Sequence, residues 1–369
     1  MKKTLALILS VFMIAGTVCS CGKPMTQKDD PANTDQNNTD PTAAPSEKTD
    51  QSPEGSYDQP ESTACEKVEM AIQKITFGSY PQSEVTDTAL KATLTARAGA
   101  LPTKTDPKSW TSFKYYYKYK ENSTDKTERD YMWYIDITEE GERYRGIFFA
   151  SYRPTYVLRS SAAGTSYQDD NGYLTGTVYW FKYEPISWTV LKENADGASL
   201  ILCDSILDCQ EFDYNDSDGT YHNDYSRSSI RDWLNASFLN TAFTADEKSK
   251  ILDTTVDNSV ASTGHLQNPN ACADTTDKVF LLSYMEAVND QYGLEVKEAR
   301  IKEGTAYAKA QGLYVEADGG NSWWLRSPSP DPIVAIFKVR GVMNTGAVDS
   351  YINANFTYRG VVPALWVKL

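Results

Sequence analysis

The chain has 369 residues, of which 40% are hydrophobic and 23% are charged, enough for one large domain or two ordinary ones. A net charge of −14 at pH 7 disfavours a general nucleic-acid binder, which must neutralise phosphates with Lys and Arg. The two histidines, His222 and His265, have no cysteine or carboxylate at metal-ligand spacing. We therefore predict neither a metal nor a cofactor.

The first residues are typical of an export signal. Lys2 and Lys3 precede an apolar run over 5–15 that is too short to span a bilayer and is followed by small residues. The run Val-Cys-Ser-Cys at 18–21 resembles a bacterial lipobox, which implies cleavage before Cys21 and a lipid on its sulfur. We predict a signal peptide over 1–20 and an exported, outward-facing protein anchored to the membrane by lipid. The alternative is an ordinary secretory signal with incidental cysteines.

A tether separates this signal from the folded part. Residues 21–64 are acidic and rich in Pro, Thr and Asp, so they cannot bury enough apolar surface to fold. We predict a disordered tether there and a single folded domain over 65–369. Four cysteines fall in that domain, and both disulfides and buried thiols are open for them: Cys65, Cys203, Cys209 and Cys272.

Short strands and helices alternate along the folded part. In chain order, residue patterns and capping residues predict a strand over 75–77, a helix over 83–98, strands over 110–119, 131–137, 143–150, 177–183, 186–192 and 198–203, helices around 230–238 and from Thr244, a strand over 279–282, helices from Ser283 to Gly293 and over 305–311, and strands over 323–327, 334–340 and 361–368. Turns are predicted at Glu140-Gly141, Asp196-Gly197 and 344–346. The predicted class is α+β, with helices inserted between mostly antiparallel strands.

Catalytic and metal-binding motifs are absent from the sequence. It contains no G-x-S-x-G, H-E-x-x-H, P-loop or dinucleotide fingerprint. Residues 213–219 look faintly like a calcium loop, but the spacing is wrong and the closing Glu is missing, so we interpret them as an acidic surface loop. His265 lies in a polar loop and is expected to be solvated. We predict no catalytic residue and no metal ligand.

The strongest motifs lie near the C-terminus. Residues 323–328 read W-W-L-R-S-P and residues 360–366 read G-V-V-P-A-L-W, with Gly341 and Gly346 between them. This pattern resembles a bacterial family of exported domains of unknown function, whose last motif usually carries Arg where Val362 stands here. Shorter motifs extend the resemblance over nearly all of 75–369: those at 77–82, 144–146, 151–154, 169–173, 179–188, 228–235 and 307–313.

The same ending is similar to that of the C-type-lectin-like fold, in the branch shared with formylglycine-generating enzymes. The resemblance implies that the first and last strands pair, which would set 75–77 beside 361–367. It also implies that Leu325 and Leu365 are core and that Arg326 is a buried, hydrogen-bonded framework residue. The framework residues so implied are Trp324, Arg326, Gly341, Gly360, Pro363 and Trp366.

The ending also resembles variable proteins that retroelements diversify at Asn codons, whose products never include Lys, Glu, Gln, Met or Trp. Residues 329–358 contain only Lys338 and Met343 from that set. The resemblance implies a variable, ligand-binding segment within 322–369. Its implied contact residues are Ser329, Asp331, Ile333, Phe337, Arg340, Asn344, Asp349, Tyr351, Asn353, Asn355 and Tyr358. The alternative is an undiversified member with an ordinary β-rich end.

Taken together, the sequence favours a surface-anchored lipoprotein that binds a ligand and is not an enzyme. Its C-terminal lectin-like surface would face a protein or glycan ligand and no nucleic acid, and an aromatic content of 12% suits such contacts. One alternative is an enzyme related to formylglycine-generating or sulfatase-modifying factors, which would need a reactive cysteine pair. Another is a structural envelope protein without a specific ligand.

Overall fold

The computed structural model describes residues 73–103, 105–114, 131–149, 168, 171–214, 220–316, 319–331, 337–348 and 350–369. All of them belong to one unit, Val68–Leu369. Several predictions lie outside the described residues and stay predictions: the signal peptide, the lipidation of Cys21, the tether, the state of Cys65, and the roles of Ile333 and Asp349.

The described part of the chain is a mixed α+β structure, as predicted. Its strands are β1 (Lys74–Glu84), β2 (Thr111–Lys114), β3 (Tyr131–Glu139), β4 (Glu142–Phe149), β5 (Val178–Glu193), β6 (Ser199–Cys203), β7 (Asp208–Cys209), β8 (Thr254–Val256), β9 (Thr275–Asp277), β10 (Trp323–Pro328), β11 (Lys338–Val342), β12 (Ser350–Asn353), β13 (Gly360–Val361) and β14 (Ala364–Val367).

The helices are short. They are α1 (Thr88–Ala98), α2 (Ser229–Trp233), which continues through a π turn (Leu234–Phe238) into α3 (Leu239–Ala242), then α4 (Ala245–Lys250), α5 (Tyr284–Ala287) and α6 (Ala306–Ala310). Four 3-10 turns connect these elements: Tyr225–Arg227, Ala261–Thr263, Asp290–Tyr292 and Glu298–Arg300. Within the described residues, every helix falls short of the length and apolarity that crossing a membrane requires.

Two sheets carry most of the strands. The larger, seven-stranded sheet has the order β14-β6-β5-β4-β3-β2, with β1 also paired with β5, and every pair in it is antiparallel. The smaller, five-stranded sheet has the order β12-β11-β10-β13-β7, in which β10 and β13 run parallel and the other pairs antiparallel. β8 and β9 form a separate antiparallel pair. The prediction of mostly antiparallel strands is confirmed.

The prediction that the first and last strands pair is wrong. Ile75 of β1 lies opposite Trp188 of β5, whereas Leu365 of β14 lies opposite Ile201 of β6. The cause is the length of β5, whose 16 residues pair with β4 near the start, β1 in the middle and β6 at the end. β5 and β6 therefore lie between the two strands that the resemblance set side by side.

Two further strand predictions differ from the structure. The segments 177–183 and 186–192 form the single strand β5. Pro185 lacks the N–H that a regular ladder needs, and β1 accommodates it with a register shift between Thr76 and Ser79, so β5 continues through the proline. The segment 361–368 is divided by Val362 and Pro363 into β13 and β14, which belong to different sheets.

Differences also occur where side chains replace backbone pairing. The segment 279–282 makes one bridge, between Phe280 and Ala364, and the amide of Asn235 hydrogen-bonds both N and O of Val279. Its polar groups are thus satisfied without a regular strand. The helix predicted over 83–98 begins at Thr88, because β1 extends to Glu84 and Asp87 caps the helix.

The helix predicted from Ser283 to Gly293 ends earlier. Ser283 and Glu286 form the predicted capping box, but α5 closes at Ala287. Gly293, with φ of 67°, ends the following 3-10 turn instead.

Two buried clusters hold these layers together. The larger one joins both sheets and the helices, and Trp188 of β5, Phe238 beside α3, and Trp324 of β10 are completely or almost completely buried in it. The smaller one lies between α1 and the β3–β5 strands, around Leu94 and Trp180. Removal of these large apolar side chains from water stabilises the sheet that carries the C-terminal segment.

Candidate functional site

The framework of the C-terminal segment is the strand β10, which is buried along its whole length. Its two tryptophans also satisfy their polar edges, because the indole N–H of Trp323 donates to Arg300 O at 3.1 Å and that of Trp324 donates to Gln210 O at 2.8 Å. The strand is therefore fixed by apolar burial and by hydrogen bonds at the same time.

Arg326 ties this strand to the segments around it. Its Nε donates to Asn258 Oδ1 at 3.1 Å, and its Nη1 and Nη2 donate to Leu281 O at 2.6 Å and Asp257 O at 3.0 Å. Nη1 also pairs with Glu286 of α5. The side chain is almost fully buried, so it positions other groups and offers no surface to a ligand.

Two glycines of the motif permit close packing beneath the segment. A Cβ on Gly341 would lie 2.7 Å from Trp323 O and would collide with the buried guanidinium of Arg359. A Cβ on Gly360 would collide with Ile206. Of the other implied framework residues, Trp324 and Pro363 are buried and Trp366 is half-buried.

A loop that precedes β9 lies across the end of β10. Asn268 Nδ2 donates to Pro328 O at 3.1 Å, and Asn270 Nδ2 donates to Ser329 O at 2.7 Å and to Asp331 O at 2.9 Å. These amides fasten the loop, which also carries His265, to the start of the implied ligand-binding segment.

Four side chains meet where that loop reaches the smaller sheet, and we name Arg340, Tyr351, His265 and Tyr284 the Arg340 cluster. Arg340 and Tyr351 are direct partners on β11 and β12, so they share a face. The guanidinium carbon of Arg340 lies 3.9 Å from the ring centroid of Tyr284 and 4.9 Å from that of Tyr351. The hydroxyl of Tyr351 is 3.0 Å from both Arg340 Nε and His265 Nε2.

Local sequence brings Tyr284 and His265 into place. The backbone N–H of Tyr284 donates to Ser327 Oγ at 2.8 Å, and the Ser283–Glu286 capping box fixes the start of α5. Gly264 has φ of 73°, and a Cβ there would collide with the ring of Tyr284. A glycine is therefore needed for the loop to pass so close to this ring.

The electrostatics of the cluster are set by one buried cation. Arg340 is 5% exposed, and no carboxylate among the described residues pairs with it. Its Nη2 lies 2.9 Å from His265 Nε2, which must accept because guanidinium only donates, so the imidazole is neutral with its proton on Nδ1. Burial, and then the charge of Arg340, lower the pKa of His265 below its ordinary value.

The implied contact residues do not form one continuous surface. Ser329 and Arg340 are 4% and 5% exposed, so their side chains offer a ligand little contact area, and their roles as contact residues stay predictions. The backbone N–H of Ser329 donates to Lys338 O at 2.9 Å, which pairs it with β11. The remaining described positions reach the surface to different degrees: Asp331 and Phe337 are exposed, and Asn344, Tyr351, Asn353, Asn355 and Tyr358 are half-buried.

A second group of partly exposed aromatic rings lies after β12. The ring centroids of Phe356 and Tyr358 are 5.0 Å apart, and those of Tyr314 and Tyr358 are 6.2 Å apart. Elsewhere Phe337 contacts Tyr221, with centroids 5.1 Å apart. These rings offer apolar contact area around the segment.

Two members of the Arg340 cluster were not expected from the sequence. Tyr284 carried no signal, and His265 was expected to be solvated, but it is half-buried and contacts Arg340 and Tyr351. His265 and Tyr351 are separated by 86 positions in sequence, and no local pattern connects them.

Among the described residues, Cys203 and Cys272 are free thiols, and Cys209 Sγ donates to Thr357 O at 2.9 Å. Burial raises the pKa of Cys203 to about 12 and that of Cys272 to about 11. A reactive thiol needs the opposite shift.

The acidic loop is described only in part. Asp213 is buried and accepts from the backbone N–H of His222 at 2.7 Å and of Ser229 at 3.1 Å, which gives its carboxylate a structural role. In the described ranges no three His, Cys, Asp or Glu side chains are grouped as a metal ion would require.

Comparison with known families bears on the same part of the chain. Residues 196–369 match the family model of a domain of unknown function (DUF6273). The matched residues include β10 to β14 and the Arg340 cluster. The prediction of a domain of unknown function is confirmed for these residues. No curated protein and no solved structure matches the chain.

Proposed function

We propose that the protein is a non-enzymatic binding protein, held at the cell surface by a lipid on Cys21, that presents its C-terminal segment 322–369 to a protein or glycan ligand. The observation that supports this most is the Arg340 cluster, a preformed polar and aromatic group at the face of the smaller sheet. Binding sites concentrate their energy in such tyrosine and arginine anchors on a rigid base.

We further propose a C-type-lectin-like domain. The buried W-W-L-R-S-P strand and the separate sheet that carries the segment support this assignment. The pairing of β14 with β6 is a departure from what the resemblance implies. The assignment therefore rests on the C-terminal motifs and on the way the framework carries the segment.

The thiol chemistry favours binding over catalysis. An oxidase related to formylglycine-generating enzymes would need accessible thiols with lowered pKa, whereas Cys203 is buried and has a raised pKa. The half-exposed Tyr351 and Tyr358 instead supply stiff contact area that loses little entropy when a ligand binds.

Replacing Tyr358 by Ala should weaken ligand binding at least tenfold and leave the melting temperature nearly unchanged, because its ring is half-exposed. Tyr351→Ala should weaken binding as much and also lower the melting temperature, because it removes the acceptor of the buried Arg340 Nε. Ligands would be found by screening the full chain on glycan and surface-protein arrays, and affinities measured by calorimetry. Tyr179→Ala, a half-buried tyrosine of β5, is the matched control and should bind normally. Loss of folding would assign the two tyrosines to the core, and retained binding would place the ligand elsewhere.

We propose that, if a retroelement diversifies the segment, the changes fall on its outer positions. Substitution at Ser329 or Arg340 would disturb buried side chains, whereas Asp331 and Phe337 can vary at little cost. Sequencing the 3′ end of the gene in sibling cells should show changes at exposed codons and none at those two buried ones. Changes at Ser329 and Arg340 as frequent as elsewhere would contradict this, and an invariant end without a nearby template would remove diversification.

A further inference from the structure

We infer that the Arg340 cluster binds a carboxylate borne by an acidic sugar. The inference rests on the proposed binding function and specifies the chemistry of the ligand. The first observation is the positive charge of Arg340, which no carboxylate among the described residues balances.

Three other arginines among the described residues that are buried or partly buried meet a carboxylate. Arg145 donates to both oxygens of Asp136 at 2.8 Å, Arg231 pairs with Asp277 at 2.7 Å, and Arg326 pairs with Glu286. Arg340 is as deeply placed as Arg145 but is contacted by a neutral imidazole and two phenol rings. A buried cation without an anion is costly, and a ligand anion would remove that cost.

The orientation of the guanidinium suits a planar anion. Arg340 uses Nε and Nη2 for Tyr351 and His265, and its Nη1 donates to no residue within the described part of the chain. Tyr351 accepts from Arg340 Nε and lies 3.0 Å from His265 Nε2, whose single lone pair accepts from Arg340 Nη2 at 2.9 Å. While Nη2 occupies that lone pair, the O–H proton of Tyr351 can turn toward a ligand oxygen beside Nη1. One guanidinium N–H and one hydroxyl then face the two oxygens of a carboxylate.

The charge of the Arg340 cluster matches a carboxylate. Its four side chains hold one positive charge, since His265 is neutral while it accepts from Arg340, and a singly charged carboxylate balances that charge. Lys338 adds a second positive charge on the same face, so inorganic phosphate is compared with glucuronate in the titration below, and an equal response to phosphate would show that the site does not select a carboxylate.

The surroundings favour a sugar as the carrier of this group. Lys338 and Asn353 are direct partners on β11 and β12, on the same face as Arg340 and Tyr351, and can hydrogen-bond sugar hydroxyls. The rings of Tyr284 and Tyr351 offer apolar faces. An acidic peptide would bring several negative charges toward a chain whose net charge is −14, which opposes its approach.

The test uses the two histidines of the chain as reporters. NMR titration of the imidazole protons in the full protein, assigned with His265→Gln, gives the pKa of His265 and of His222. D-glucuronate should raise the pKa of His265, because its negative charge offsets that of Arg340, and should leave His222 unchanged. D-glucose, the neutral counterpart, should change neither value.

Variants and a second probe separate the remaining outcomes. Tyr351→Phe keeps the ring and removes the hydroxyl, so glucuronate binding measured by calorimetry should weaken about fivefold to tenfold. Arg340→Gln should abolish binding, and Arg227→Gln, an exposed arginine, should not change it. If Arg340→Gln does not fold, the titration of the native protein and Tyr351→Phe still decide.

Three further results would overturn the inference. Equal effects of glucose and glucuronate would show that charge plays no part, and no response to glucuronate would exclude an acidic sugar. A stronger response to triglutamate than to glucuronate would assign the site to an acidic peptide. A ligand found on the arrays that does not depend on Arg340 would leave the proposed binding function standing while this inference fails.

Discussion

Replacing Arg326 by Met should lower the free energy of unfolding by about 3–5 kcal/mol. The methionine fills much of the same volume but leaves Asn258 Oδ1 and the carbonyl oxygens of Asp257 and Leu281 without their donor. Since single domains are stable by only about 5–15 kcal/mol, this loss is a large fraction of the total. Urea unfolding followed by tryptophan fluorescence measures it.

Arg227→Met is the matched control for that experiment. Arg227 has a 61% exposed side chain and pairs with Asp224 at the surface, so its loss should change stability by no more than about 0.5 kcal/mol. Equal stability of the two variants would show that the buried guanidinium does not hold the framework together.

Gly341→Ala should cost about 3 kcal/mol, at the upper end of what an added methyl group costs in a packed interior. The new Cβ would lie 2.7 Å from Trp323 O, a backbone atom of β10, and β10 cannot move because both of its tryptophans are buried. The same methyl group would collide with Arg359, which is itself buried. Thermal unfolding measured by circular dichroism gives the loss.

Gly293→Ala separates this crowding from the general cost of replacing glycine. Gly293 has a left-handed conformation, with φ of 67° and ψ of 22°, and open space around its Cβ, so alanine there should cost only the strain of that conformation, about 1 kcal/mol. A loss at Gly341 no larger than at Gly293 would contradict the close approach of β10 and β11.

Features that depend on a few neighbouring residues could be predicted from the sequence. The Glu140-Gly141 turn has φ of 50° and 85°, which suits a tight hairpin between β3 and β4. The capping boxes at Thr244 and Ser283 form as predicted, because each needs only a hydroxyl and a glutamate three positions later.

Features that depend on pairing between residues far apart in sequence could not be predicted. The partner of β14 is decided by the length of β5 and by β6 occupying its last residues, and neither is visible in the pattern of 361–368. The same limit applies to the site. The resemblance to diversified variable proteins implied Arg340 and Tyr351 as contact residues one by one. Only the register of β11 and β12 sets them opposite each other, and only the fold brings His265 to them.

The division of the last strands between two sheets has a consequence for the order of synthesis and folding. β13 completes the smaller sheet between β10 and β7, and β14 completes the edge of the larger sheet beside β6. A nascent chain that lacks residues 360–369 leaves both sheets unfinished, and these contacts of long sequence separation form slowly. Both sheets are therefore completed only after residues 360–367 have been synthesised, which delays closure of the domain until that point of translation.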